Sequence, residues 1–384
     1  MNASFVIVGN PENRRVGLFQ EALARQDVPP ARVIRWLDLA RGEDALDGLP
    51  DEPAIVRIDS FGEDFDVTRE LLRRGEDDAR AAGVWTVPAA EIADHVYDRG
   101  RILAPRQEHF GFLRVLADLE RALADRPHLR VYPAPRSIER LFDKRACART
   151  FADAGVPIAT PIREVTSTDD LRNAMRDGGV RRVFVKLTCG SSASCLALYE
   201  WDPEKPDDAW LFTSMEIAGD RFYNSLRPRR YRNSQAIEQV LSFLLREGSH
   251  VEEHLAKARL DGKFFDTRML VVAGEVPFTV VRKSPHPITN LHLGGVRGTT
   301  TELEELVPAN VLREAKTSAA RVFAAHDCLH LGVDVMFTAP EGQGGERGMR
   351  HVVLEANAFG DLLPNLMCDG LSVYEWEIRA AVAR

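Results

Sequence analysis

The stretch His330 to Asn365, HLGVDVMFTAPEGQGGERGMRHVVLEANAFGDLLPN, constrains this chain more than any other. LGVDVMF alternates as a strand does, HVVLEANAFG is a second strand-like run, and PEGQGGERG between them has the composition of a hairpin loop. Residues two apart on a strand face the same way, so Glu355 and Asn357 project together. If the two strands pair antiparallel, Asp334 joins them on that face. Two carboxylates and one amide oxygen suit a hard cation, and Mg2+ takes phosphate and water as its remaining ligands. The same spacing also describes an ordinary hairpin with a wetted polar face, so the rest of the chain has to decide.

A length of 384 residues predicts two or three domains, and 45% hydrophobic with 28% charged residues is a globular composition. No apolar run approaches the roughly 18 residues of a membrane span. The start, MNASFVIVGNPENRR, lacks the basic segment and apolar run of a secretory signal. These features predict a cytoplasmic protein with no membrane partner. A formal charge of −8 argues against a nucleic-acid partner. The five cysteines are scattered without a C-x2-C pair, which predicts reduced thiols in place of a disulfide set or zinc site.

Through the first 130 residues, SFVIVGN, ARVIRWLDLAR and PAIVRIDS read as strands, alternating with helical periods such as RRVGLFQEALARQ. That alternation predicts an open α/β sheet. The lone glycine after the first strand is no G-x-G-x-x-G, so no dinucleotide site is expected. Arg57 and Asp59 end the third strand, where ligands bind in such sheets, although a surface ion pair fits them equally. Near residue 130 the organisation changes, and VYPAPRSIERLFDK passes through prolines into a helix. Lys144 there is either an exposed cation or a phosphate contact.

VRRVFVKLTCGSSASCLALYE reads as strand, small-residue turn and returning strand. A lysine inside an apolar strand is costly unless paired, so Lys186 is expected to face a ligand or an acid. Gly190, Ser191 and Ser192 can lay backbone N–H groups against a polyphosphate. RFYNSLRPRRYRN carries five arginines and reads as a solvated face, a nucleic-acid patch or an anion groove. HVEEHL is a short strand with Glu252 and Glu253. GKFFDTRMLVVAGEVPFTVVRKS then gives two strands about a Gly-Glu turn. Asp266 and Arg268 share a face of the first, and Arg282 and Lys283 end the second. The predicted units are 1–130, 131–249 and 250–384.

In sequence order the chain shows a lysine, a lysine with a small-residue loop, an acidic hinge, D-x-R, N-x-x-x-G-G, an aspartate and E-x-N. This set resembles the ATP-grasp superfamily from about Asp143 to Asn365, most closely the branch of ribosomal-protein glutamate ligases and glutathione-synthetase-like enzymes. The resemblance implies an α/β protein with an N-terminal open α/β domain, followed by a two-part ATP-grasp fold: a small α+β lid and a larger C-terminal α+β domain. It implies that Lys144 and Lys186 contact nucleotide phosphates. Glu252, Glu253, His254 and Leu255 correspond to the hinge that holds adenine by backbone and ribose by a carboxylate. Arg268 matches an arginine directed at the γ-phosphate, Arg282 a phosphate or acyl-phosphate ligand, and Asn290 an asparagine near the transferred phosphate. Asp334, Glu355 and Asn357 match the ligands of two Mg2+ ions.

There are departures from the family pattern. The loop before Glu355 is long, TCGSSASC lacks the usual second glycine, and AFGDLLPN replaces a small-residue-Pro-Gly run, which leaves the acceptor open.

The implied activity is an ATP- and Mg2+-dependent ligase joining a carboxylate to an amine through an acyl phosphate, with ADP released. The implied substrates are a small molecule or peptide bearing the carboxylate, and an amine acceptor. The alternatives are a nucleotide-binding regulatory or scaffold protein with an inactive ATP-grasp fold, and an ATP-dependent kinase of a small molecule. Relatives are often dimers or tetramers, and nothing in this sequence selects a homo-oligomeric state. Arginine forks bind carboxylates and phosphates bidentately. Some of Arg221, Arg227, Arg229, Arg230 and Arg232 are therefore expected to hold an anionic part of an amino acid, short peptide or phosphorylated carrier, with a solvated face as the competing reading.

Overall fold

The computed structural model describes residues 3–42, 44–190, 194–339, 348–360 and 363–384. Its first sheet is parallel, with strands β1 (Phe5–Gly9), β2 (Arg32–Arg35), β3 (Ala54–Ile58) and β4 (Leu129–Tyr132) in the order β2-β1-β3-β4. Every residue of β1 and β3 is buried, as continuous apolar strands are when both faces of a sheet are covered. The helix Arg14–Arg25 begins at Asn13, whose side chain accepts the Arg15 N–H.

ARVIRWLDLAR is not one strand. β2 stops at Arg35, and Trp36–Arg41 is a short helix closed by Gly42 in the left-handed region. Trp36 is buried and its indole N–H donates to Asp59 O at 2.8 Å, so packing of this side chain overrides the strand period.

The second sheet is antiparallel. It comprises β5 (Arg182–Leu187), β6 (Leu196–Glu200), β7 (Trp210–Ala218), β8 (Arg221–Tyr231) and β9 (Ser249–Glu253), ordered β8-β7-β6-β5-β9. Val183, Val185, Tyr199 and Leu211 form its core with residues of the helices Thr168–Asp177 and Ser234–Arg246. The alternation along β5 therefore turns Phe184 and Lys186 to the opposite face.

The third sheet contains β10 (Arg259–Leu260), β11 (Lys263–Val272), β12 (Glu275–Ser284), β13 (Val296–Gly298), β14 (His330–Phe337) and β15 (His351–Asn357). Its order is β13-β12-β11-β14-β15, with β10 on β11. Helix Ala309–Ala324 covers one face, burying Ala315, Ala319 and Val322 in the cluster that holds Met269, Val271, Val333 and Val335. The opposite face carries Arg268 and Asp334.

The helix Val373–Ala383 returns to the first sheet, where Tyr374 and Ile378 join Phe5 and Phe19. There it meets Arg57, which is buried, paired with Glu377 and stacked 4.7 Å over the Phe19 ring. Asp59 is also buried, 3.6 Å from Arg57, so this pair is an internal staple and no surface salt bridge. All five cysteines are free, and four are buried. Among the described residues no helix is long and apolar enough to cross a membrane.

Candidate active site

The β14–β15 register places Asp334 opposite Glu355 and Gly332 opposite Asn357, with a bulge just after Asp334. The β11 registers place Arg268 opposite Asp334 and Asp266 opposite Arg282. Directly opposed residues share a face. Asp334, Glu355 and Asn357 therefore do meet on one side of a sheet, and Arg268, Arg282 and Asp266 extend that side across two further strands.

Asp334 is held by two guanidiniums. Arg268 bonds both carboxylate oxygens, with Nη2 at 3.0 Å from Oδ2, and Arg282 Nη2 lies 3.1 Å from Oδ2. Burial pushes the Asp334 carboxyl up, but Arg268 and Arg282 outweigh it and hold it well below the usual carboxylate range. Arg268 Nη1 also donates to Gly360 O at 3.0 Å, which ties the loop after β15 to the site.

Arg282 reaches back through Nε to Asp266 Oδ1 at 2.7 Å. Asp266 in turn accepts from Lys257 Nζ at 3.1 Å and from the Thr289 hydroxyl. Lys257 is buried, which lowers its affinity for a proton against the pull of Asp266. Lys257 and Thr289 were not legible as site residues, and Asp266 was read only as sharing a face with Arg268. Lys257 lies in an irregular segment without periodicity, and Thr289 is hidden beside the more conspicuous Asn290. Asn290 itself caps a short turn at Leu291–Leu293, its Oδ1 accepting the His292 N–H at 2.8 Å.

Lys144 is no exposed helix cation. It opens the helix Lys144–Asp153, capped by Asp143, and donates Nζ to Gly190 O. The same Nζ lies 3.4 Å from Glu355 Oε2, which joins the small-residue loop to the metal face. Ser191 and Ser192, expected to cover phosphate, lie outside the described residues. Asn357 spends an amide N–H on Gly332 O at 3.5 Å, which leaves its oxygen to a ligand.

Lys186 faces an acid: its ammonium pairs with Glu252, which also lies 3.1 Å from His250 Nε2. Burial raises the Glu252 carboxyl, but Lys186 and His250 prevail and bring it down to about 2. A carboxylate depressed in the fold contributes stability that is present above its unfolded value and lost as pH falls toward the folded one. Glu252→Gln is thus expected to lose roughly 3 kcal/mol at pH 7, where a buried ion pair is broken. The penalty should shrink in melts between pH 4.5 and pH 2, and a constant penalty across that range would show that the ion pair is not its source.

At the hinge, Glu253 N–H bonds Thr160 O at 2.9 Å and His254 N–H bonds Arg182 O at 3.0 Å. Among the described residues the Leu255 amide has no such partner. The His254 ring packs 5.6 Å from Phe184, on the face that carries Lys186.

The five arginines, all on β8 or just after it, divide. Arg229 pairs with Glu216, and Arg221 lies 3.9 Å from Asp98. Arg230 stacks 4.3 Å over Trp210, while Arg227 and Arg232 have no acidic partner among the described residues.

An antiparallel sheet that carries Lys186, a helix that opens with Lys144 and a second sheet with a carboxylate–arginine face are parts of the ATP-grasp fold, and the whole chain has that fold. It matches the ATP-grasp ligase PsnB, solved in complex with a minimal precursor, over 100% of this chain and 99% of that one, at TM-score 0.53 and 15% identity. D-cycloserine synthetase DcsG matches over 99% of both chains at TM-score 0.53 and 14% identity. D-alanine–D-alanine ligase from Bacillus anthracis matches over 100% of this chain and 97% of its own, at TM-score 0.53 and 11% identity. At these identities the likeness is one of fold. No family model matches the sequence, and no curated protein matches it significantly.

Proposed function

We propose that the chain is an ATP- and Mg2+-dependent ligase that joins a carboxylate to an amine through an acyl phosphate. The observation that carries this reading is the single sheet face on which Arg268, Arg282, Asp334, Glu355 and Asn357 stand together, with Lys144 placed 3.4 Å from Glu355. The fold is shared with ligases, and PsnB has been solved with Mg and ADP, at TM-score 0.51. Residues 1–130 would then be the N-terminal domain, 131–249 the lid and 250–384 the metal-bearing domain.

ATP would lie between the second and third sheets. The Leu255 amide and the Phe184 ring would suit adenine, and a hinge carboxylate of Glu252 or Glu253 would suit ribose. Lys144 and Lys186 would meet the phosphates, Lys186 by leaving Glu252. Arg268 and Arg282, which bond Asp334, would turn to the γ-phosphoryl oxygens, where charge spreads during transfer. The donor set suits Mg2+, since Asp334 and Glu355 offer carboxylates and Asn357 a hard amide oxygen on one sheet face. Asp334, Glu355 and Asn357 would hold the metal, two ions by family resemblance, which polarises the phosphoryl oxygens and orients the donor carboxylate. The donor oxygen forms its bond to phosphorus as the bond to ADP breaks, and the amine then displaces phosphate from the acyl carbon. Lys144 donates Nζ to Gly190 O, and this backbone would help to keep water from that acyl phosphate.

A nucleotide-binding scaffold would have no reason to keep the whole phosphate and metal set. Product analysis separates the readings. Incubation with Mg-ATP and pooled metabolites and peptides is expected to yield ADP and a compound that has gained an amide by mass. ADP with a phosphorylated product would make the chain a kinase, and tight ATP binding without ADP would make it a scaffold.

A further inference from the structure

The small-residue hairpin between β5 and β6 has two shoulders, and both lean on one segment from the N-terminal part of the chain. At the near shoulder, Cys189 Sγ lies 3.9 Å from Pro105 O. At the far shoulder, Asn224 of β8 accepts twice through Oδ1, from the Ser194 hydroxyl at 3.0 Å and from the Cys195 N–H at 3.4 Å. A backbone N–H cannot bond to an amide nitrogen, so the Cys195 donor fixes which end of the Asn224 side chain faces the hairpin. Cys195 has a φ of 52°, in the left-handed region that a residue with a Cβ keeps only when its surroundings hold it there.

Asn224 is itself held. Its backbone N–H donates to Gly100 O at 2.7 Å, and the Ile102 N–H donates to Phe222 O at 2.9 Å. These two bonds make an antiparallel bridge with Arg101 opposite Tyr223. β8 is the outermost strand of its sheet, so segment 98–105 covers part of a free edge. Tyr223 Oη donates to Asp98 Oδ2 at 2.6 Å, and Ile102 is buried in the same core cluster as Cys189 and Cys195. Gly100 has a φ of 79°, and a Cβ there would stand 3.0 Å from Asn224 O, so this crossing needs a glycine.

We propose, resting on the nucleotide reading of the Gly190 hairpin, that Asn224 is a positioning residue. It ties the far end of the hairpin to segment 98–105, so that the N-terminal part of the chain sets where the hairpin's backbone donors stand. Backbone N–H groups bind phosphate only when they converge. Small residues do not dictate one backbone path, so the ties at the two ends of such a hairpin decide it. Lys144 holds the near end through Gly190 O. Asn224 holds the far end with two bonds, and neither Asn224 nor Gly100 has a place in the proposed phosphate or metal set.

The test uses the full chain and the displacement of a fluorescent ATP analogue by Mg-AMPPNP and by adenosine, which lacks phosphate. Asn224→Leu keeps the shape of the side chain without the acceptor. It is expected to weaken Mg-AMPPNP about tenfold, as the loss of two hydrogen bonds implies, and to leave adenosine within about twofold. Gly100→Ala alters neither the hairpin nor a nucleotide contact, and it too is expected to weaken Mg-AMPPNP selectively. Combined with N224L it should add nothing, because both act through one contact. Equal loss of the two ligands would make Asn224 a general support of the sheet and overturn the proposal. So would unchanged Mg-AMPPNP affinity in N224L, a selective loss in N224L without one in G100A, or additive losses in the double variant. Should N224L fail to fold, G100A decides alone, by whether it weakens Mg-AMPPNP and spares adenosine. Failure of Mg-AMPPNP or adenosine to compete in the unaltered chain would instead overturn the nucleotide reading on which the tie rests.

Discussion

Glu355→Gln is expected to stop turnover and leave the melting curve where it was. The two halves of that outcome have separate causes. The Glu355 side chain is 30% exposed and its one ion pair, with Lys144, is 3.4 Å long. Half-exposed pairs contribute little to stability, about 0–1 kcal/mol, and the amide keeps the shape and most of the hydrogen-bonding capacity of the acid. In the proposed reaction, however, Glu355 supplies a negative donor at the centre of the metal face, where a glutamine oxygen is a weak substitute. Removing one preorganised electrostatic group from a transition state costs about 10²–10³ in kcat, and a metal ligand stands at or beyond the upper end of that range. Steady-state ADP release measures the first half and a thermal melt the second. ADP release near the unaltered rate would take Glu355 out of the metal set and remove the main support for the ligase reading.

The polar face of β14 and β15 was legible because period two is local. Glu355 and Asn357 need only their own strand to share a side, and so do Asp266 and Arg268. The sequence could not say which strand lies beside which. β11 is flanked by β12 and β14, and its pairing with β14 brings Arg268 to Asp334 across 66 residues, with the helix Ala309–Ala324 between them. The shared face of Asp334, Glu355 and Asn357 was therefore readable, but not the place of Asp334 at the centre of a buried double ion pair. Lys257 was invisible for a related reason: its place beside Asp266 and Thr289 depends on how an irregular segment returns over the sheet. The arginine cluster shows the opposite difficulty. Its density was obvious, but density cannot separate Arg229, spent on Glu216, from Arg230, which stacks over Trp210. That sorting rests on β8 being an edge strand with a register shift between Thr213 and Met215 on its partner. Trp36 belongs with these cases, since the partner that draws it into a helix, Asp59 O, lies 23 residues away.

The same face yields a second large effect, of a different kind. Asp334→Ala is expected to abolish activity as Glu355→Gln does, but also to unfold the protein more readily. Asp334 is 4% exposed and stands between Arg268 and Arg282, which are themselves buried. Taking away its carboxylate removes the group shared by two buried guanidiniums, of which Arg282 keeps only Asp266 as its carboxylate among the described residues, and breaking a buried pair in this way costs about 3–5 kcal/mol. For a chain of this size the melting point should fall on the order of 10 °C. The sign of the pH dependence follows from the direction of the Asp334 shift. Its folded carboxyl is held below the ordinary aspartate value of 3.8, so its stabilising effect is complete above that value and fades as pH falls below it. The gap between the two melting curves should be full at pH 7 and narrow below about pH 4 as the unfolded chain takes up the proton. If Asp334→Ala melts with the unaltered protein at pH 7, the double ion pair does not hold this face together. The arginines would then have to be satisfied by other groups when the carboxylate is gone.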